Sequence, residues 1–288
     1  MTSLAEYSTS QVHKRVISNL SSESCQLTIL PLGSDASVPH ETYVIPPKAT
    51  FLLANVQESA IFEDGVRHLM SSTPSTAGSE PFDLILLDPP WPNASAKRAK
   101  TYGRPRSTAD IHHLLLSLPL RAHIAAAGLV GVWITNKIRF RSLVLGDQDG
   151  ASECRSLFNA WGLELVEEWI WIKVTKRGEP ITDLESAWRK PYEMLLLGRR
   201  TARALHGSSG DDDRHKIKRR IIAGVPDIHS RKPSLRELLA PLMPRPEYRA
   251  LEIFARNLTQ GWWAWGDEVL KFNEVGWWSG GRTEGTSD

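Results

Sequence analysis

The stretch whose residue types could do chemistry is Asp88-Pro89-Pro90-Trp91, at the end of the apolar run Phe82–Leu87 (FDLILL). Two consecutive prolines fix φ at both positions and leave their carbonyls without neighbouring N–H donors, so the turn is a rigid array of acceptors. An exocyclic aromatic amine has two N–H bonds and needs two acceptors. The Asp88 carboxylate and the Pro89 carbonyl could supply them, and Trp91 offers a face on which a flat ring could stack. Such an amine is a weak nucleophile whose protons become acidic only as a new bond to nitrogen forms. Asp88 would then orient it and stabilise developing positive charge. The competing reading is a proline-stiffened turn around a core tryptophan.

The next segment, KRAKTYGRPR, carries Lys97, Arg98, Lys100, Arg104 and Arg106 with no acid, and interleaves Tyr102. Beside a ring-binding turn it can neutralise phosphates and stack on a base; alone it is equally a solvated basic loop. Near the other end, Leu251-Glu252-Ile253-Phe254-Ala255-Arg256-Asn257 is an apolar strand ending in small and polar residues, followed by Gly261 and Trp265-Gly266-Asp267-Glu268. Nucleotide-type cofactors need close backbone approach and ribose acceptors at such a strand end. Lys232, in His229-Ser230-Arg231-Lys232-Pro233, could meet a cofactor carboxylate or sit in solvent. The tryptophans Trp262, Trp263, Trp265, Trp277 and Trp278 read mainly as packing anchors. His112 and His113 are adjacent and cannot face one metal together, so no metal site is expected.

The elements that must position these residues follow from periodicity. Strands are expected at Thr50–Ala54, over 82–87, and at Leu129–Thr135, Leu163–Val174 and Tyr192–Leu197, the last two joined as a hairpin. A further strand is expected over 249–254, and helices around Gln57–Met70, Ser107–Leu118 and Ser234–Leu242. The alternation argues an open, mostly parallel α/β sheet. Residues 1–45 read as a partly ordered extension with an edge strand near Cys25–Leu32, residues 46–275 as one domain with a polar loop at about 200–217, and 276–288 as a tail.

The 288 residues, 41% hydrophobic, suffice for one large core. No apolar run is long enough to cross a bilayer, so no membrane partner is expected. The start of the chain has no secretory pattern, and Cys25 and Cys154 are too few for a disulfide framework. Both read as buried thiols. A net charge of +2 means that any affinity for nucleic acid must come from local clustering.

Together these residues resemble the N6-adenine methyltransferases typified by the 70-kDa subunit of the mRNA N6-methyladenosine writer. The likeness is closest to the methyltransferase-like protein four branch. The segments that carry it are Asp88–Trp91, Lys97-Arg98 with Tyr102, Trp133–Asn136, Lys190–Glu193, His229–Pro233, and Ile253–Asn257 with Gly261–Phe272. The resemblance spans about residues 44–273 and is specific as a combination.

The resemblance implies a Rossmann-like class I fold in permuted order, with the catalytic turn before the cofactor strand, and S-adenosylmethionine as cofactor. By resemblance Asp88, Pro89, Pro90 and Trp91 would hold the target adenine. Lys232, Arg256, Asn257, Asp267 and Glu268, with Asp88, would hold the methionine carboxylate and ribose, and Ala54, Asn55 and Val56 would line the cofactor adenine. Lys97, Arg98, Lys100, Tyr102, Arg104, Lys190 and Tyr192 would contact the nucleic acid. Two positions differ from the family pattern: Asn55 stands for an Asp, and Asp267 for an Asn. The expected substrate is adenine in RNA, a small nuclear RNA above all, or in DNA, handled by a monomer in the nucleus or cytoplasm. The alternatives are a catalytically silent nucleic-acid-binding partner of an active homologue and a cytosine N4 methyltransferase.

Overall fold

A computed structural model of the chain describes residues 4–30, 40–72, 81–92, 107–146, 155–186, 190–200, 217–227 and 231–277. In chain order the elements are β1 (Leu4–Ser8), α1 (Thr9–Val12), β2 (Val16–Ser18), β3 (Cys25–Leu30), β4 (Glu41–Ile45), β5 (Thr50–Leu53) and α2 (Ser59–Ser72). There follow β6 (Phe82–Leu87), α3 (Thr108–Ser117), α4 (Leu120–His123), β7 (Ile124–Ile134), α5 (Ile138–Leu145), α6 (Leu157–Trp161), β8 (Leu163–Lys173) and β9 (Tyr192–Arg200). The last strands are β10 (Lys218–Gly224), β11 (Ala250–Ile253) and β12 (Trp263–Gly266). They fall into two compact units, one of residues 81–248 and one that joins 1–80 to 249–288.

In the continuous unit the strands lie in the order β10-β8-β9-β7-β6. β6 runs parallel to β7, and β10 parallel to β8. β9 is antiparallel to both β7 and β8, which makes β8 and β9 the expected hairpin. Every residue of β6 is buried, as its uninterrupted apolar run requires of a strand covered on both faces. Its one charged member, Asp83, is 7% exposed and is met by Arg245 at 3.3 Å. α3 starts where the sequence signals it: the Ser107 hydroxyl accepts from Asp110 N–H, and the Asp110 carboxylate accepts from Ser107 N–H.

In the discontinuous unit β5, β11 and β12 form a parallel set, with β2 antiparallel on the edge of β5. Alternation sets the faces. Phe51 and Ala264 bury into a cluster with Val12, Leu27, Tyr43 and Ile45. Trp265, on the other face of β12, stacks on Phe62 of α2 with centroids 4.5 Å apart and planes at 5°. Gly65 lets α2 approach β2, since a Cβ there would lie 2.4 Å from a Val16 methyl.

Among residues 1–45 the described segments, 4–30 and 40–45, form four strands and one helical turn. β1, β3 and β4 form a sheet of their own, and β2 pairs with β5. Their hub is Asn19, which sequence periodicity does not mark. Its amide donates to the carbonyls of Glu23, Ile45 and Pro46 and its oxygen accepts from Ser21 N–H. The two amide N–H groups, one of them shared between two carbonyls, tie the 19–23 loop to the end of β4, and Leu27, Tyr43 and Ile45 of these strands are buried in the apolar cluster. Other departures are smaller. Cys25 is half-buried, with burial pushing its thiol pKa up against a smaller lowering by its own backbone. The expected helix at 234–242 is a single turn, Arg236–Leu239, continued as a 3₁₀ turn, Ala240–Leu242, because Pro241 removes an N–H. The polar loop expected at about 200–217 falls largely at 201–216, outside the described residues.

Candidate functional site

Asp88 stands at the carboxyl end of β6, the place where parallel strands present ligand-binding groups. Its Oδ1 lies 3.2 Å from the Lys232 ammonium. Lys232 also lies 2.8 Å from Oε2 of Glu193, at the start of β9, whose Oε1 is 2.5 Å from Lys173 at the end of β8. Charges thus alternate in the order Lys173, Glu193, Lys232, Asp88. Indole rings flank the chain: Lys173 lies 5.0 Å from the Trp171 centroid and Lys232 5.6 Å from that of Trp133, with the two rings edge to face at 6.1 Å.

Burial and charge oppose each other here. For Lys232 burial alone would lower the pKa, but the Asp88 and Glu193 carboxylates outweigh it and the ammonium is held above its ordinary value. For Glu193 burial pushes upward, and Lys232 and Lys173 outweigh it, so the carboxyl lies below its ordinary range. Three of these charged groups come from strand ends, where an apolar strand stops and its last polar residues reach the rim.

The Pro-Pro turn differs from its sequence reading in two respects. The Pro89 carbonyl is not free of donors: Trp91 N–H donates to it at 2.8 Å. A carbonyl has two lone pairs, so one acceptor direction remains. Trp91 is not an open stacking face either. It is 7% exposed, its Nε1 donates to the Trp133 carbonyl at 2.7 Å, and its ring packs on Phe140 at 4.6 Å. The competing reading of a core tryptophan describes this side chain, and the ring anchors the turn to β7. Pro92 closes the turn by accepting from Arg139 at 3.4 Å.

The KPYE segment is held by its backbone. Asn136, after β7, donates to the Tyr192 carbonyl at 2.7 Å, and Lys173 N–H donates to that of Pro191 at 2.7 Å. Lys190 is exposed and its ammonium donates to the Leu184 carbonyl. Tyr192 is half-buried. Glu193, which the sequence reading placed in this segment without a role, is the member joined to Asp88 through Lys232. A lone acid opening the apolar strand EMLLL was the available signal. Lys97, Arg98, Lys100, Tyr102 and Arg104, with His229 and Ser230, lie outside the described residues.

A second set of expected residues belongs to the discontinuous unit. Phe254, directly after β11, has φ +62°, a left-handed conformation that costs a bulky side chain about 1–3 kcal/mol and marks functional strand ends. Ala255 N–H donates to the Trp265 carbonyl, and Gly266 packs so closely on Ala255 that a Cβ would lie 2.7 Å from its oxygen. Arg256 meets Glu268 at 3.1 Å, and Lys271 meets the other Glu268 oxygen at 3.3 Å. Asn257 donates to the Leu258 carbonyl, and Asp267 is exposed. Ala54 and Val56 are buried, while Asn55 accepts from Gln57 N–H at 2.9 Å and so turns the chain into α2. Asn273, unmarked by sequence reading, accepts from Leu258 N–H and donates to the Val44 carbonyl, fixing the loop that carries Arg256 and Asn257. Among the described residues no group of His, Cys, Asp and Glu could hold a metal ion.

An acidic, proline-stiffened turn at the end of a buried parallel strand places the chain among α/β proteins that carry ligand-binding groups at strand ends. Residues 82–268 match the family described as MT-A70, and the chain belongs to that family. It is 43% identical over 262 residues to the N6-methyladenosine RNA methyltransferase MTA1 of Pyricularia oryzae, covering 89% of this chain and 60% of that protein. It is 33% identical over 264 residues to the human N(6)-adenine-specific methyltransferase METTL4, covering 91% and 48%. With a DNA N6-methyl methyltransferase of Caenorhabditis elegans it shares 31% identity over 225 residues, covering 75% and 50%. The chain therefore spans only about half to three-fifths of the length of these relatives.

Proposed function

We propose that the chain transfers a methyl group from S-adenosylmethionine to the N6 amine of adenine in a nucleic acid, on a class I methyltransferase fold in permuted order. One observation carries the reading: the Asp88 carboxylate stands beside a rigid Pro-Pro turn with one oxygen held by a half-buried ammonium. In chain order β6, which leads into that turn, precedes β11, which leads into Phe254–Asn257, and this order supports the permuted arrangement.

The residues present suit such a cofactor by type. Its carboxylate calls for a cation, which Lys232 and Arg256 offer. Its ribose hydroxyls call for acceptors, which Asp267 and Glu268 offer, and its adenine amine for one, which Asn55 offers. Gly266 and the left-handed Phe254 supply the close, bent backbone that a nucleoside needs. When bound, S-adenosylmethionine would supply an electrophilic methyl group, its sulfonium sulfur keeping the bonding pair as the methyl–sulfur bond breaks.

Asp88 accepts one amine N–H and the remaining Pro89 lone pair accepts the other, which aims the nitrogen lone pair away from both. As the C–N bond forms, nitrogen becomes positive and Asp88 stabilises it, then takes or passes on the proton that leaves. Lys232 fixes Asp88 beforehand, its ammonium 3.2 Å from Oδ1. The polymer is RNA, a small nuclear RNA first, or DNA. The names of the fungal and nematode relatives give one precedent for each. Nuclear action goes with that substrate class.

The test is transfer of labelled methyl to matched adenine-containing RNA and DNA oligonucleotides, with nucleoside mass spectrometry of the product. N6-methyladenine should form, and Asp88→Ala should lower kcat by about a hundredfold or more. No transfer to either polymer, or label on cytosine, would sink the reading.

A further inference from the structure

The alternating charges begin at a residue that the turn itself does not need. Lys173 is the last residue of β8, and its ion-pair partner is Glu193, not Asp88. Its main chain is pinned to Pro191, two residues before Glu193, and its ammonium lies over Trp171. The groups facing Glu193 are Lys173 from β8 and Lys232 from the 231–235 segment, with Asp88 at the end of β6 beyond Lys232. Each Glu193 oxygen has its own ammonium: Oε1 takes Lys173 and Oε2 takes Lys232.

This division has a mechanical consequence. A carboxylate that loses the cation on one oxygen either takes up a proton or turns its whole charge toward the remaining cation. Protonated, Glu193 would leave Lys232 to Asp88 alone and tighten that pair. Rotated and still charged, it would draw Lys232 away. Both outcomes change the carboxylate that must meet a substrate amine, although no atom of Lys173 need approach it.

We propose that Lys173 is a positioning residue for methyl transfer: through Glu193 and Lys232 it sets the orientation of the Asp88 carboxylate. The inference rests on the function proposed above. Lys173 leaves substrate and cofactor contacts to others, so its loss falls on kcat and on the pH at which the site works, with little effect on KM.

The experiment compares wild type with K173M, K173Q and K173R in the full chain, each verified as folded by circular dichroism. Rates are measured with labelled S-adenosylmethionine and an adenine-containing oligonucleotide across pH. In parallel, Glu193 is followed by carboxyl ¹³C titration, assigned by comparison with E193Q. K173Q and K173M should lower kcat about tenfold, the usual scale for residues that orient a reacting group through another. Both KM values should stay within about twofold. The acid limb of the kcat profile and the Glu193 titration should both move up by about one pH unit, because a cation that favours the charged form is gone. K173R, which keeps the charge, should restore both. The proposal is overturned if K173Q matches an active wild type in kcat and acid limb, or if K173R restores neither. Absence of transfer by the wild type would instead overturn the functional reading, and the ¹³C titration would still decide whether Lys173 controls Glu193.

Discussion

The Lys232 ammonium lies 3.2 Å from Asp88 and 2.8 Å from Glu193, so the lysine that resemblance assigns to a cofactor carboxylate already serves two carboxylates of its own chain. An ammonium has three N–H donors, and two are committed. Its larger task in the free protein is to hold two acids together at the end of β6.

For that reason Lys232→Met should cost more in catalysis than in cofactor binding. Without the cation Asp88 and Glu193 lose the partner they share, and the turn loses the carboxylate's fixed position. Single-turnover transfer should fall about a hundredfold, whereas the S-adenosylmethionine Kd from calorimetry should rise by about tenfold or less. A loss confined to Kd would return Lys232 to a pure ligand role.

Stability should follow pH with opposite signs at the two partners. Glu193 is held below its ordinary range by Lys232 and Lys173 against burial, so its contribution is complete above about pH 4.3 and is lost as pH falls through its folded value. Lys232 is held above its ordinary value, so its contribution is present below about pH 10.4 and is lost as pH rises through its folded value. Glu193→Gln should lower stability near neutral pH by about 1 kcal/mol and flatten the acid side of the curve. Urea unfolding at stepped pH reads both effects. An unchanged acid slope would show that Glu193 is not depressed.

Trp91→Phe and Trp91→Ala separate an anchor from a stacking platform. The Nε1–H bond to Trp133 and the packing on Phe140 make the ring structural. Phe should cost about 1 kcal/mol through the lost hydrogen bond and Ala about 3–5 kcal/mol through the cavity, both by denaturant unfolding. Oligonucleotide KM should stay unchanged in Trp91→Phe. A severalfold rise in KM would restore the stacking role.

The basic segment is testable through its electrostatics. Replacing Lys97 and Arg98 by Ala should weaken oligonucleotide binding and reduce the slope of log K against log salt by about 1 for each phosphate no longer neutralised, with cofactor affinity unchanged. Binding titrations at several salt concentrations measure this. A constant slope would make the segment an ordinary solvated loop.

What was legible in the sequence was the apolar run, most plainly in β6, where every residue is buried. β6, β8, β9 and β11 announce themselves as apolar runs, and the Asp88 turn as a break in one of them. Of the N-terminal strands β3 was legible as the apolar piece near Cys25–Leu32, whereas β1, β2 and β4 were not, and the Asn19 amide that bonds to the Ile45 and Pro46 carbonyls has no periodicity. Glu193 and Lys173 escaped for another reason. Each is unremarkable in its own strand, and only the register of the β8–β9 hairpin, which sets Trp171 opposite Glu193, makes them partners. Trp91 was misjudged because residue type says that a ring can stack but not which side of the chain it faces.

The discontinuous unit also sets a timetable for synthesis. Residues 81–248 can close on themselves as one stretch of chain, whereas Val44 must wait for Asn273, 229 residues later, before its carbonyl is satisfied. Loop closure over such a span is slow but only modestly more costly than over a short one. On the ribosome β5 therefore emerges early, beside β2, but gains its other neighbour only when β12 has been made. Through that interval one edge of β5 is exposed to other chains.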